Sequence, residues 1–441
     1  MARHVLVKCG AIEKSFDEFY DAKRVYECAG LGLYVGTIPK AASAILGGQA
    51  LDSISRLRDR LLYGREPSAA RNLISRVMEF GYSFATDPRD KVFALVGLTS
   101  PEDVPGILQP DYSIESTFSK VCLHMARHYL SEGAPLVLAA VLSCPDCPFG
   151  HLELPSWTAD LRQLSCRIAQ VSLTFQEMGA FSASARTLLT SRTSQDGKAL
   201  VVRGRRFDVI SDLGDYRAKT TALHQFELQT RPPLRYADTP DVATWESEQD
   251  DVRLKVSEMR SVVNKYYNSL FTTALEKITA QAMYVTGEPL TEAFWRTMCC
   301  NRDIERGAND IYAASRQGMG PIMTRDGYEP SSITGAAILG YFGIEGPILP
   351  DDQTAPALMN VPFLTNGRNW GITEGGYMGW VPFATKLGDE IAIIEGQDAP
   401  FVIRPVGEFY HRLIGECYIH GVMKGEIVLA EDYKAEAIFL V

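Results

Sequence analysis

The chain has 441 residues, 46% of them hydrophobic and 22% charged, with a formal net charge of -10 at pH 7. That length accommodates two or three domains, each with a core of its own, and the acidic balance excludes a broad surface for nucleic acid or anionic lipid. Apolar runs stop well short of the roughly 20 residues of a membrane span, and the N-terminus turns charged too soon for a signal peptide, so the sequence predicts a cytoplasmic protein.

Residues 1–164 read as a helical domain. "SFDEFYDAKRVYECA" carries Phe16, Phe19, Tyr20 and Val25 at helical spacing, "ALDSISRLRDRLLYG" does the same with Leu51, Ile54, Leu57 and Leu61, and "AARNLISRVMEFGYSF" supplies a third helix. In "ATDPRDKVFALVGL", Asp87 can accept a hydrogen bond from an amide of the first helical turn. Pro88 suits the first helical position, Asp90 places negative charge at the positive end, and Gly97 supplies the stop. Val92, Phe93, Leu95 and Val96 of this short helix face inward. "IESTFSKVCLHMARHYLSEG" forms the next helix, closed by Gly133.

Residues 165–374 read as a mixed middle region, helical with one strand segment. Within it, "KALVVRGRRFDVISDLG" alternates as a strand pair or one long strand, and "TRPPLRYADTPD" is an exposed loop. Helical segments come next, around 255–283 and 289–302. A Gly/Pro-rich connector runs from Asn301 through Asn369. From Gly375 to the end, short β-rich runs alternate with Gly-Asp, Glu-Gly and Lys-Gly turns at about 8 to 12 residue spacing. Gly388-Asp389 reads as a hairpin corner, "EIAII" as a strand, "FVIRP" as its partner and "YHRLIGECYIHG" as one or two more. The fold class is therefore α+β, with a small C-terminal antiparallel β-barrel or sandwich over 375–441.

Motifs for cofactor chemistry are missing. No Gly-x-x-x-x-Gly-Lys-Ser/Thr, no Gly-x-Gly-x-x-Gly between strand and helix and no Gly-x-Ser-x-Gly elbow occurs. Cys144-Pro-Asp-Cys147, with His151 nearby and with His124 and His128 one helical turn apart, has zinc-like spacing. A single Cys-x-x-Cys and a histidine pair on a separate helix favour buried thiols over a metal site. The nine cysteines, odd in number and mostly apolar in context as Cys28, Cys122, Cys166 and Cys417 are, fit reduced thiols rather than a disulfide framework. No metal and no cofactor is expected.

Acid-base and hydrogen-bonding groups set among apolar residues remain. Arg404, Tyr410 and His420 are the candidate catalytic donors, and Trp157, Trp295, Tyr312, Arg316 and Trp380 the candidate substrate-binding groups, because amphipathic aromatics bury ring area while offering a few polar contacts.

Four stretches, "ATDPRDKVFALVGL", "QPDYSIESTFSKVCLHMARHYL", "LPSWTADL" and the long C-terminal run from "GWVPFATKLGDE" to "GVMKGE", stand in the order seen in fungal heterokaryon-incompatibility proteins, which the chain resembles over most of its length. Members of that family begin with a core similar to TIR signalling domains, carrying Ala-Leu-Ser-Tyr-x-Trp-Gly and Trp-x-x-Gln-Glu type motifs. Neither motif is present here, and "HVLVKCG" resembles the segment just C-terminal to that core, so the resemblance implies a chain that begins after it. In the same resemblance Asp87, Arg89 and Asp90 are scaffold residues. Two functions are compatible with this pattern. One is a cofactor-independent cyclase or isomerase, possibly of Diels-Alder type, acting on an apolar small molecule of fungal secondary metabolism by shape control and one or two hydrogen bonds. The other is a non-catalytic regulatory or recognition part of an incompatibility system, with a protein partner.

Overall fold

The structure, a computed structural model, describes residues 6–9, 12–18, 20–21, 48–63, 73–81, 83, 85–99, 104, 106–131, 152–165, 181–194, 197–214, 283–288, 290–298, 300–301 and 367–441. The chain opens with a hairpin of β1 (Leu6–Cys9) and β2 (Ile12–Ser15), followed by helical residues 16–18. Ser15 caps that turn: its hydroxyl accepts from Glu18 N, and the Glu18 carboxylate accepts from Ser15 N in return. Helices α1 (Gly48–Leu62), α2 (Leu73–Phe80), α3 (Asp90–Val96) and α4 (Phe118–Ser131) come next.

The Asp-Pro-Arg-Asp stretch behaves as its chemistry dictates, with one shift. Asp87 Oδ1 accepts from Arg89 N at 2.9 Å, but the helix begins at Asp90, and the bonds from Asp90 N to Asp87 O and from Lys91 N to Pro88 O tighten the entry into a 3₁₀-like turn. Arg89 is held by Asp87 and donates Nη1 to the carbonyls of Ser113 and Ser116, tying this entry to the approach of α4. Asp160 and Arg162 repeat the device before the 3₁₀ turn Leu161–Ser165. Between these two anchors lies a helical core of Leu73, Val77, Val92, Phe93, Val121, Met125 and Leu161.

The sheet draws on more of the chain than 375–441. β3 (Ser191–Thr193) and the long β4 (Leu200–Leu213) join β5 (Arg368–Thr373), β6 (Met378–Pro382), β7 (Glu390–Ile394), β8 (Phe401–Val406), β9 (Tyr410–Glu416), β10 (Tyr418–Ile419) and β11 (Glu436–Leu440). The order is β10-β6-β5-β4-β11-β9-β8-β7, and β7 pairs back onto β4, which closes β4, β11, β9, β8 and β7 into a ring. All these pairs are antiparallel except β11 with β9. Register shifts at Arg206/Asp208 and Ile210/Asp212 let β4 bend so that its first half serves β11 and its last residues serve β5. The Gly388-Asp389 corner exists, but β6 and β7 on either side of it do not pair; Asp389 and Gly388 bond the backbone of Ile210 instead.

β7 explains its own sequence. Ala392 and Ile394 point into the ring core with Leu200, Val202, Phe401, Ile403 and Leu440, while Ile391 and Ile393 point into a second core with Ile210, Val381, Val402 and Ile419. A strand buried on both faces has no polar side to show, hence the unbroken "IAII". Among the described residues no helix is long and apolar enough to cross a membrane.

Candidate functional site at the joint between barrel and helix

Residues 283–288 and helix α5 (Leu290–Met298) lie against β6 and β10. One glycine serves the close β6–β10 pairing and another the packing of residues 283–288. A Cβ at Gly379 would come within 2.1 Å of Tyr418 O, and Gly421 combines φ +93° with a Cβ position 2.5 Å from Thr286 Cγ2. With the backbones this close, the Tyr284 hydroxyl accepts from Met378 N at 2.8 Å and donates to His420 O at 3.0 Å. Trp380 donates its indole N–H to Thr297 O at 2.9 Å, and Trp370 stands edge-on to Trp380 with Phe294 tilted against it.

A chain of polar side chains runs through this aromatic joint. His420 Nε2 lies 2.8 Å from Glu288 Oε1 and His420 Nδ1 lies 3.0 Å from the Tyr418 hydroxyl. The neutral Nε2–H tautomer satisfies both contacts, donating to Glu288 and accepting from Tyr418. Thr286 donates to the same Glu288 oxygen at 2.8 Å, and Arg296 Nη1 stands 3.2 Å from the other. Burial works to raise the Glu288 pKa. The hydrogen bonds from His420 and Thr286, with the charge of Arg296, outweigh it and hold the carboxyl below its ordinary value. Burial also drives the Tyr284 phenol well above its usual range, which keeps it neutral. Glu288, His420 and Tyr418 thus form a tyrosine–imidazole–carboxylate relay able to hold or move a proton between the phenol and the carboxylate.

The residues singled out from sequence are distributed over several environments. Arg404 on β8 is a fork filled from within: Nε and Nη2 donate to the two oxygens of buried Asp389 at 2.7 and 2.8 Å, and Nη2 also reaches Ala384 O. Tyr410 on β9 is exposed, opposite Val406 in register and edge-on to Phe439. Trp157 fills the ring core and donates to Lys198 O, while Trp380 belongs to the joint just described. Trp295 falls on α5, with its side chain outside the described residues, as are Tyr312, Arg316, Cys144, Cys147 and His151 in full. His124 is partly buried, and burial lowers its pKa, with Arg127 and Lys120 adding to the effect. Among the described residues no group of three or more His, Cys, Asp or Glu side chains could hold a metal ion.

Of the relay, only His420 is legible in the sequence. Glu288 lies 132 positions away, and no local pattern links the two. The buried pair of Arg368 and Glu416, 2.7 Å apart and 48 positions apart, is equally silent in the sequence.

Residues 357–441 match the family described as the Het-6 beta-barrel domain. The chain is similar to "Heterokaryon incompatibility protein 6, OR allele" of Neurospora crassa, 24% identical over 396 residues that cover 81% of this chain and 51% of that protein. It therefore spans about half the length of the curated relative it matches. No solved structure matches the chain.

Proposed function

We propose that the chain is a recognition or regulatory component of an incompatibility system, with the barrel as its protein-binding module, a reading supported by the Het-6 beta-barrel match over residues 357–441 and by the 24% identity to the incompatibility protein. One observation carries this reading: where the candidate polar groups are described and buried, the fold itself uses them. The Arg404 fork is taken by Asp389, and the Trp157 and Trp380 N–H groups are taken by backbone carbonyls. Val406, Phe409 and Tyr410 at the β8–β9 turn are all exposed, and amphipathic aromatics in such a position suit a protein partner.

The cyclase or isomerase reading retains one supporting observation, the Glu288–His420–Tyr418 relay beside an aromatic cluster. Deletion of the gene, with fusion-compatibility assays and metabolite profiling of the deletion strain, separates the two. The recognition reading expects altered compatibility with an unchanged metabolite profile, restored by the wild-type gene but not by a copy carrying Phe409→Ser/Tyr410→Ser. Accumulation of an uncyclised intermediate with normal compatibility would replace it by the catalytic reading.

A further inference from the structure

Along β9 the buried residues His411 and Leu413 alternate with exposed Tyr410 and Arg412, so the latter two stand on the outside of the barrel. On β11, Phe439 lies between Ile438 and Leu440 of the ring core and faces outward as well. Register sets Val406 of β8 on one side of Tyr410 and Phe439 on the other, which makes one apolar row across three strands, with the Tyr410 and Phe439 rings edge-on at 6.2 Å. Val406 and Tyr410 are 44% and 47% exposed, and Phe409 in the adjoining turn is 64% exposed. A contiguous exposed row of this kind marks an interaction surface.

Opposite charges bracket the row. Glu408 at the tip of the turn and Arg412 on β9 stand equally far along the chain before and after Tyr410, both exposed, and neither has an ionic partner among the described residues. Arg404, the cation opposite Arg412 in register, is already held by Asp389 and leaves Arg412 the uncommitted charge. At Tyr410, β9 is paired on both edges, to β8 and to β11, so an added strand has no place there and a partner meets side chains alone. The order acid, aromatic, base becomes its own complement when turned through 180° about Tyr410. Each carboxylate then meets a guanidinium and each ring a ring, as an isologous two-fold contact requires.

We propose that this face binds a second copy of the chain, forming a two-fold dimer in which Tyr410 sits near the axis and Glu408 of each protomer pairs with Arg412 of the other. The dimer rests on the reading of this face as protein-binding and supplies its partner. An unlike partner needs no such symmetry, whereas a like partner does, and a homodimer interface favours an apolar centre with charges at its rim. Two chains of net charge -10 repel one another at long range. At about 0.15 M salt that repulsion is screened beyond about 8 Å, which leaves the contacts at the face to decide.

Sedimentation equilibrium of the whole chain at about 0.15 M salt is the test. Across micromolar concentrations the wild type is expected to pass from the mass of one chain to twice that mass. Glu408→Arg and Arg412→Glu, made separately, each set like charges opposite one another on both sides of the axis and are expected to weaken the dimer at least about tenfold. Mixed in equal amounts, each variant supplies the charge the other lacks, and wild-type affinity is expected to return in the mixture. The double variant Glu408→Arg/Arg412→Glu is expected to dimerise as the wild type does, and it decides the pairing if a single variant does not fold. A wild type that stays monomeric, a dimer indifferent to both reversals, or no recovery in the mixture or the double variant overturns the proposal. A monomer leaves the face to an unlike protein, which the fusion-compatibility assay of Phe409→Ser/Tyr410→Ser reads on its own, so the dimer and the protein-binding face fail separately.

Discussion

Replacing Arg368 by methionine tests the internal electrostatics of the barrel most directly. Arg368 opens β5 and Glu416 ends β9, their side chains are 1% and 0% exposed, and Nη2 donates to Oε1 at 2.7 Å. At an effective dielectric constant of about 20 the Coulomb attraction at that separation is about 6 kcal/mol, of which the desolvation of two ions cancels a large part. Arg368→Met removes the attraction but leaves the Glu416 carboxylate buried, so the expected loss is about 3–5 kcal/mol. With about 2–4 °C per kcal/mol for a unit of 150–250 residues, the melting temperature should fall by roughly 6–20 °C. Tryptophan fluorescence during thermal unfolding reads the change locally, since Trp370 and Trp380 pair across β5 and β6. The double variant Arg368→Met/Glu416→Leu should regain most of the loss, because it removes the buried charge rather than exposing it to an apolar neighbour. A single variant within 2 °C of wild type, or a double variant no better than the single, would refute this account.

Arg404→Ala should lower stability by about 2–4 kcal/mol in thermal unfolding, with Arg404→Lys recovering little because an ammonium cannot fill the two-oxygen contact with Asp389; an unchanged melting temperature would remove the clamp from the fold. Glu288 has a folded pKa below its ordinary value of 4.5, so its contribution is fully present above about pH 4.5 and is lost as the pH falls through the lower folded value. The urea midpoints of wild type and Glu288→Gln should therefore differ by a constant amount from pH 7 to about 5 and converge in acid. A gap that widens in acid would contradict the pairing with His420. Burial pushes the Cys122 thiol up to about 12 and raises that of Cys417 well above its usual range. Neither should react with a disulfide reagent at pH 8 until the protein unfolds, and prompt labelling of the native protein at either position would show that the core opens there.

Which elements the sequence determined depends on the range of the forces involved. Helical spacing in "ALDSISRLRDRLLYG" and "FSKVCLHMARHYL", the Asp87 turn before α3, and the strands "EIAII" and "FVIRP" with their pairing all rest on neighbours a few residues apart, and each is present in the fold. The run "KALVVRGRRFDVISDL" resolves into one long strand, because its two halves bond different partners and need no turn between them.

What tertiary structure decided is everything that joins distant segments. Ring closure of β7 onto β4 brings together residues nearly two hundred positions apart, so the barrel could not be read from 375–441 alone. Arg404 and His420 look alike in sequence, each a polar residue on a strand-like run, yet one is neutralised by Asp389 and the other is linked to Glu288 and Tyr418. The residue types and their local periodicity were written in the chain. Their ionic and hydrogen-bond partners were not, because burial removes water as the default partner and leaves each polar group to whatever the completed fold places within about 3 Å.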